Sequence, residues 1–159
     1  MKARHKAAIG GATAAALALA GVMATRWEGE RLVAYQDIVG VWTLCDGETK
    51  GVHQGDTATH AQCRDMLATR LEQFAAEIQP CLPQGLPDAT MAAFIDVAYN
   101  IGSAGFCHSS MSRRALAGDL QGACDALLLW DKAGGHAVPG LTRRRMDERQ
   151  SCLAGLAAP

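Results

Sequence analysis

At 159 residues, with 49% apolar and 19% charged side chains, the chain is sized for one compact domain around one core and is too apolar for a disordered polymer. Its formal net charge of −1 conceals an asymmetry: Lys2, Arg4 and Lys6 crowd the extreme N-terminus, leaving 12 cations against 16 anions from Arg26 onward. A body near −4 excludes strong long-range attraction to anionic surfaces, and no nucleic-acid partner is expected.

Behind the three cations, Ala7 to Ala24 is an uncharged run of eighteen residues, nine of them Ala and three Gly. As a helix it would extend about 27 Å, close to the roughly 30 Å of a bilayer core. Preceding positive charge orients such a segment with its N-terminus in the cytoplasm and exports the chain beyond it. Ala and Gly bury little apolar surface, so the segment would be a weak anchor. Three readings stand: a signal peptide cleaved at small residues such as Ala18-Leu19-Ala20, a permanent anchor, or a segment that enters the membrane and later leaves it. The expected division is a leader at 1–25 and a catalytic domain at 26–159.

In chain order, a short helix is expected over Trp27 to Ala34, then a hairpin from about Tyr35 to His53. The β-branched and aromatic stretch Asp37 to Leu44 would supply its first strand and Asp46-Gly47 its turn, making this the one β region. Thr59-His60-Ala61-Gln62 reads as a capping box. The apolar face of Cys63, Met66, Leu67, Leu71, Phe74 and Ile78 then predicts a long helix ended by Pro80. Asp88 opens a helix buried nearly all round, closed by Tyr99-Asn100-Ile101-Gly102. Further helices are expected near Ser110 to Ala117, Asp119 to Trp130 and, after a glycine-rich loop, Leu141 to Leu153. The predicted fold is α+β and mainly α, with a hairpin lobe and a helical lobe flanking a cleft.

The cysteines at 45, 63, 81, 107, 124 and 152 include no Cys-x-x-Cys pair and no paired histidines at ligand spacing, so no metal is expected. An even count behind an export signal reads as three disulfides. Sequence alone permits fifteen connectivities. Nearest-neighbour pairing, Cys45 with Cys63, Cys81 with Cys107 and Cys124 with Cys152, is preferred because each closes a short loop around a helix-bearing unit.

The chemistry concentrates in Glu28, Asp37 and Thr43. Cleaving a glycosidic bond takes one carboxyl that protonates the leaving oxygen and an ionised one across the sugar, and these spacings allow both on one cleft. The surrounding blocks occur in the order found in phage-type lysozymes, glycoside hydrolase family 24, which the chain resembles. They are Trp27-Glu28-Gly29, Ala34-Tyr35-Gln36-Asp37, Gly40-Val41-Trp42-Thr43, Ala98-Tyr99-Asn100-Ile101-Gly102 with Phe106, Gly122-Ala123-Cys124 with Trp130, and Gly140-Leu141-Thr142-Arg143-Arg144-Arg145 with Glu148.

That resemblance implies a lysozyme-like two-lobed fold and a muramidase cutting between N-acetylmuramic acid and N-acetylglucosamine in peptidoglycan. Glu28 would be the general acid, Asp37 the carboxylate on the opposite face, and Thr43 the hydroxyl that orients the attacking water. It also implies inversion, with carboxyls roughly 6.5 to 9.5 Å apart. Asn100, Arg144 and Trp130 are weaker candidates: Asn100 for a substrate amide, Arg144 for holding Glu28 with neighbouring arginines leaving the register open, and Trp130 as a sugar platform or simply core. No cofactor is implied, and the protein is expected to be monomeric. The resemblance favours a signal-arrest-release leader, so the protein would wait tethered in the host inner membrane and then act in the periplasm to lyse the cell. No cysteine precedes Cys45 and position 37 is Asp, which disfavours thiol-exchange activation. A steric or folding switch remains. The alternatives are a lytic transglycosylase, which would not need Asp37, and a non-catalytic peptidoglycan-binding protein, which would not need Glu28.

Overall fold

The protein, seen here as a computed structural model, is described over residues 8–9 and 11–159; Lys2, Arg4, Lys6 and the start of the apolar leader lie outside the described residues. A minimal hairpin, β1 (Ala8–Ile9) and β2 (Ala12–Thr13), leads into α1 (Ala14–Glu28). Thr13 caps this helix, its hydroxyl accepting from Ala16 N at 3.1 Å, and the alanine-rich sequence of the helix has the highest intrinsic helix propensity available. Gly29, at φ 73°, closes it. The buried residues of α1 are Ala16, Ala20 and Ala24, one turn apart, while Val22 is 71% exposed. The helix thus turns its smallest side chains inward, which lets its backbone lie close to its neighbours.

One expectation changes here. The helix predicted over Trp27 to Ala34 is absent: α1 ends at Glu28 and β3 (Arg31–Gln36) begins two residues after Gly29. The cause is the left-handed Gly29, which stops a helix already running from Ala14. Residue 25, where the leader is expected to end, lies inside α1, so a chain starting at Arg26 would lose the three core alanines.

β3 pairs antiparallel with β4 (Trp42–Cys45), Tyr35 opposite Thr43 and Gln36 opposite Trp42, with an irregularity toward Arg31. The connection between them is the Asp37 to Val41 turn, so the stretch Asp37 to Leu44, expected as the first strand, instead forms that turn and most of the second strand, and the hairpin begins at Arg31 rather than Tyr35. The Asp46-Gly47 turn predicted from sequence comes next, where Leu44 and Glu48 exchange both backbone hydrogen bonds. Besides this hairpin and β1–β2, a third small one, β5 (Lys132–Ala133) with β6 (His136–Ala137), occupies the glycine-rich loop, so the first is not the one β region.

α2 (His60–Ile78) starts with the predicted capping box, Thr59 and Gln62 each bonding the other's backbone N–H, and gives way to a 3-10 turn at Gln79–Cys81. It joins the hairpin lobe, whose small core is Leu44, Cys45 and Cys63, to the helical lobe. There α3 (Asp88–Ile101) runs through the centre, surrounded by α1, α2, α4 (Ser103–Cys107) and α7 (Pro139–Ala157). The lobe is completed by α5 (Ser110–Leu116), α6 (Leu120–Asp125) and a 3-10 turn at Ala126–Leu129. Every residue of α3 from Thr90 to Ala98 is buried. Disulfides join Cys45 to Cys63, Cys81 to Cys107 and Cys124 to Cys152, the nearest-neighbour arrangement.

α3 and α7 approach very closely at Gly155. A Cβ there would stand 2.4 Å from Thr90 Oγ1 and 2.7 Å from the Thr90 backbone nitrogen, and the Thr90 hydroxyl donates to Cys152 O at 2.9 Å. Gly155→Ala must therefore push the helices apart, and we expect a loss of about 1–3 kcal/mol, read as a lowered denaturation midpoint in urea.

Candidate active site

Glu28 is the last residue of α1, and its side chain is 25% exposed where the hairpin lobe meets the helical lobe. Gly47, at φ 93°, faces it from the hairpin: a Cβ there would lie 3.8 Å from both Glu28 Oε2 and the Tyr99 hydroxyl oxygen. Tyr99 of α3 donates that hydroxyl to Asp46 O at 2.5 Å, tying the two lobes together beside Glu28.

Asp37 sits at the tip of the β3–β4 hairpin. Its Oδ1 accepts from the backbone nitrogens of Val39 at 2.9 Å and Val41 at 2.8 Å, an Asx-type turn that fixes the carboxyl and leaves part of it facing outward. Gly40, at φ 81°, allows the chain to double back, with Asp37 N donating to Val41 O at 2.9 Å. Thr43 is buried on β4 and donates its hydroxyl proton to Val41 O at 3.1 Å, which leaves its oxygen able to accept. The same turn therefore holds both side chains.

Behind Glu28 lies a buried ionic cluster. Arg144 of α7 donates from Nη1 to Glu28 Oε1 at 2.5 Å, from Nη2 to Asp96 Oδ1 at 2.9 Å, and from Nε to Asp96 Oδ2 at 3.4 Å and Glu148 Oε1 at 3.3 Å. Arg145 Nη2 reaches Glu148 Oε1 at 2.8 Å and Asn100 Oδ1 at 3.1 Å, while its Nε stands 2.7 Å from Glu148 Oε2 without hydrogen-bond alignment. Of the three consecutive arginines, Arg144 is the one on Glu28. Arg143 is exposed.

The cluster perturbs its own members. Burial alone would lower the Arg144 guanidinium, but Asp96 and Glu28 outweigh it and hold it above its ordinary value. Arg145 is lowered, by burial first, with Arg144 adding to the effect. Glu148 is pushed up to about 9, chiefly by burial and by its hydrogen bond with Asp96. In the opposite wall, Asp46 is raised by burial and then by the negative charges of Glu30 and Glu28.

Among the described residues, Asn100 and Trp130 make no hydrogen bond to Glu28, Asp37 or Thr43. Asn100 is exposed at the end of α3 and is held by Arg145, and Trp130 packs half-buried against the helical-lobe core. Sequence reasoning missed Asp96 and Asp46, and considered Arg145 only as an alternative to Arg144. Asp96 carried a signal: a single acid inside the apolar run Met91 to Ala98 needs a cationic partner, and the arginine triplet with Glu148 was the available source. Among the described residues no group of His, Cys, Asp and Glu could hold a metal. An apolar groove of about 710 Å³ lies between α1 and α2, with Leu17, Val22 and Leu67 among its walls and none of Glu28, Asp37 or Thr43.

A family model described as phage lysozyme matches residues 25–148. The SAR-endolysin of Enterobacteria phage P21 is 40% identical over 156 residues, covering 94% of this chain and 93% of that protein. Among solved structures, a P22 lysozyme mutant superposes with a TM-score of 0.77 at 32% identity, covering 84% of this chain and 94% of the other. The active form of the P1 phage endolysin Lyz gives 0.76 at 27% identity, with 92% and 86% covered. Its secreted inactive form gives 0.52 at 25% identity, with 91% and 96% covered.

Glu148 also makes stability depend on pH. Its folded value near 9 exceeds the ordinary 4.5, so the native state binds a proton that the unfolded chain releases between those values. The contribution is complete below the unfolded value and lost as pH rises through the folded one. Melting temperature should fall as pH is raised from about 5 to about 9, and Glu148→Gln should flatten that slope in calorimetric scans.

Proposed function

Because the chain belongs to the phage lysozymes, we infer that it is an endolysin muramidase, hydrolysing the β-1,4 bond between N-acetylmuramic acid and N-acetylglucosamine in peptidoglycan during host cell lysis. The observation that carries the site assignment is the placement of Glu28: a helix-terminal carboxyl, partly open to the cleft and gripped from behind by Arg144 at 2.5 Å. Glu28 donates its proton to the bridging oxygen as the bond to the anomeric carbon of the muramic acid breaks. The ionised Asp37 stabilises the developing oxocarbenium charge and takes a proton from the attacking water. Thr43 accepts a hydrogen bond from that water, its own proton being committed to Val41 O. Oxygen from water ends on the anomeric carbon, the departing glucosamine carries the proton from Glu28, and the configuration inverts.

The membrane stage rests on α1. Its fully buried residues are alanines, Leu17 and Met23 are only partly buried against the core, and Leu19 and Val22 face outward, so the docked helix buries less side-chain surface than a leucine-rich helix would. Among the described residues no helix is long and apolar enough to cross a membrane. The apolar run from Ala7 extends further than α1, and in the tethered state it lies in the host inner membrane with its N-terminus cytoplasmic. There it cannot also place Ala16, Ala20 and Ala24 in the core, so Glu28 is out of position until the segment leaves the bilayer and the monomeric enzyme acts in the periplasm. The full chain, with α1 docked, is accordingly the active form.

With full-length oxidised protein and purified peptidoglycan, reducing-end muramic acid products with inverted anomeric configuration are expected by mass spectrometry and NMR. Glu28→Gln and Asp37→Asn should each lower the rate by about 10²–10⁴-fold. Anhydro-muramic products, or cleavage untouched by Asp37→Asn, would replace this reading with a transglycosylase.

A further inference from the structure

The tip of the β3–β4 hairpin carries aliphatic side chains that the fold does not use. Ile38 is 104% exposed, Val39 76% and Val41 44%. The small core of that lobe is built on Leu44, Cys45 and Cys63 and includes none of the three. Ile38 and Val39 are the central residues of a turn closed by Gly40 N donating to Asp37 O at 3.0 Å, positions where Asn, Asp, Gly or Ser ordinarily meet water. Clustered exposed aliphatics with no packing role mark a surface that another molecule covers.

The turn holds these side chains in a fixed place. Asp37 Oδ1 accepts from Val39 N at 2.9 Å and Val41 N at 2.8 Å, and Gln36 Nε2 donates to Gly40 O at 3.2 Å, so the backbone of the tip is tied on both sides. Ile38 and Val39 follow Asp37 along the chain at about 3.8 Å per residue. Hydrolysis sets the muramic acid against Asp37, so the groups nearest the tip are those that this sugar carries beside its anomeric carbon: the N-acetyl group and, one carbon further, the lactyl ether with its stem peptide. The N-acetyl group is common to both sugars of the polymer, whereas the lactyl ether belongs to muramic acid alone. Its methyl and the first residue of the stem, joined through an amide, offer an uncharged and partly apolar face. A lactyl group stripped of peptide ends instead in a carboxylate, a poor partner for aliphatic side chains.

Resting on the muramidase reading, we propose that Ile38 and Val39 form a specificity-determining contact for the lactyl-peptide substituent of muramic acid. Laying the substituent over the two side chains removes apolar surface from water on both partners, so peptide-bearing strands bind more tightly than bare glycan. The contact is made equally in the bound substrate and as the bond breaks, so it acts on KM and little on kcat. Neither side chain takes part in the proton transfers, which stay with Glu28 and Asp37.

The test compares the Ile38→Ser, Val39→Ser double variant with the parent, each as the full oxidised chain, on two soluble substrates: peptidoglycan fragments that keep their stem peptides, and the same fragments stripped of peptide by an amidase. On peptide-bearing fragments KM should rise about tenfold with kcat held within about twofold, and on stripped fragments KM should change less than about twofold. A parent that cleaves only the peptide-bearing fragments, with KM raised in the variant, supports the proposal equally. Both side chains are exposed, so the melting temperature should match the parent's; should the double variant not fold, Ile38→Thr and Val39→Thr, which keep the β-branch, make the same comparison singly. Leu129→Ser removes a 68% exposed aliphatic of the helical lobe and should leave both substrates at parent values. Equal KM rises on both substrates, no change on either, or a loss confined to kcat would overturn the proposal. Weakened binding of the variant to vesicles of phosphatidylethanolamine and phosphatidylglycerol, with KM unmoved, would overturn it in favour of a membrane contact. A folded parent that cleaves neither substrate would instead sink the muramidase reading and this inference with it, an outcome told apart by the parent alone.

Discussion

The guanidinium of Arg144 is the point on which the arrangement depends. It lies almost wholly out of water, where an unpaired cation is untenable, so each of its edges must meet an acceptor. Those acceptors come from three helices: Glu28 at the end of α1, Asp96 in the middle of α3 and Glu148 one turn along α7. Satisfying one side chain therefore fixes three elements that are distant in sequence, 116 residues in the case of Arg144 and Glu28. The hairpin is then registered on this assembly by the Tyr99 hydroxyl and by the cystine that joins β4 to α2.

The packing of α1 complements that electrostatic constraint. Alanines at three successive turns let α1 approach α3, which is buried from Thr90 to Ala98, with Leu17 and Met23 adding partly buried contacts to the same core. The charged clamp at the C-terminal end of α1 adds to this packing, so docking of the helix and placement of Glu28 against Arg144 go together.

Much of this is legible in the sequence because it depends on local chemistry. The Thr59 capping box, the Asp46-Gly47 turn, the helix-stopping Pro80 and the ordered family blocks each act through residues a few positions apart. The Trp27 to Ala34 segment departs from expectation for the opposite reason. Its apolar and charged residues fit a short helix, but Gly29 adopts φ 73° and the adjoining Arg31 to Gln36 alternates toward and away from the small hairpin core, a preference realised only when β4 is beside it. The leader likewise reads as a separate segment, because an alanine-rich run gives no sign in isolation of whether its partner is lipid or protein. Asp96 is recognisable as a buried acid in need of a cation. Which of Arg143, Arg144 and Arg145 answers it depends on the rotation of α7 against α3, which is settled by tertiary packing such as the close approach at Gly155.

The three cystines close successive, non-overlapping rings, Cys45–Cys63, Cys81–Cys107 and Cys124–Cys152, and everything upstream of Cys45, α1 and β3 included, lies outside them. Covalent closure and insertion of α1 are therefore independent in their order of assembly. The three rings can close without α1 in place, and α1 can pack or unpack without opening a ring or breaking a disulfide. Such topological freedom lets a chain be locked against unfolding and still keep the helix that carries Glu28 detachable.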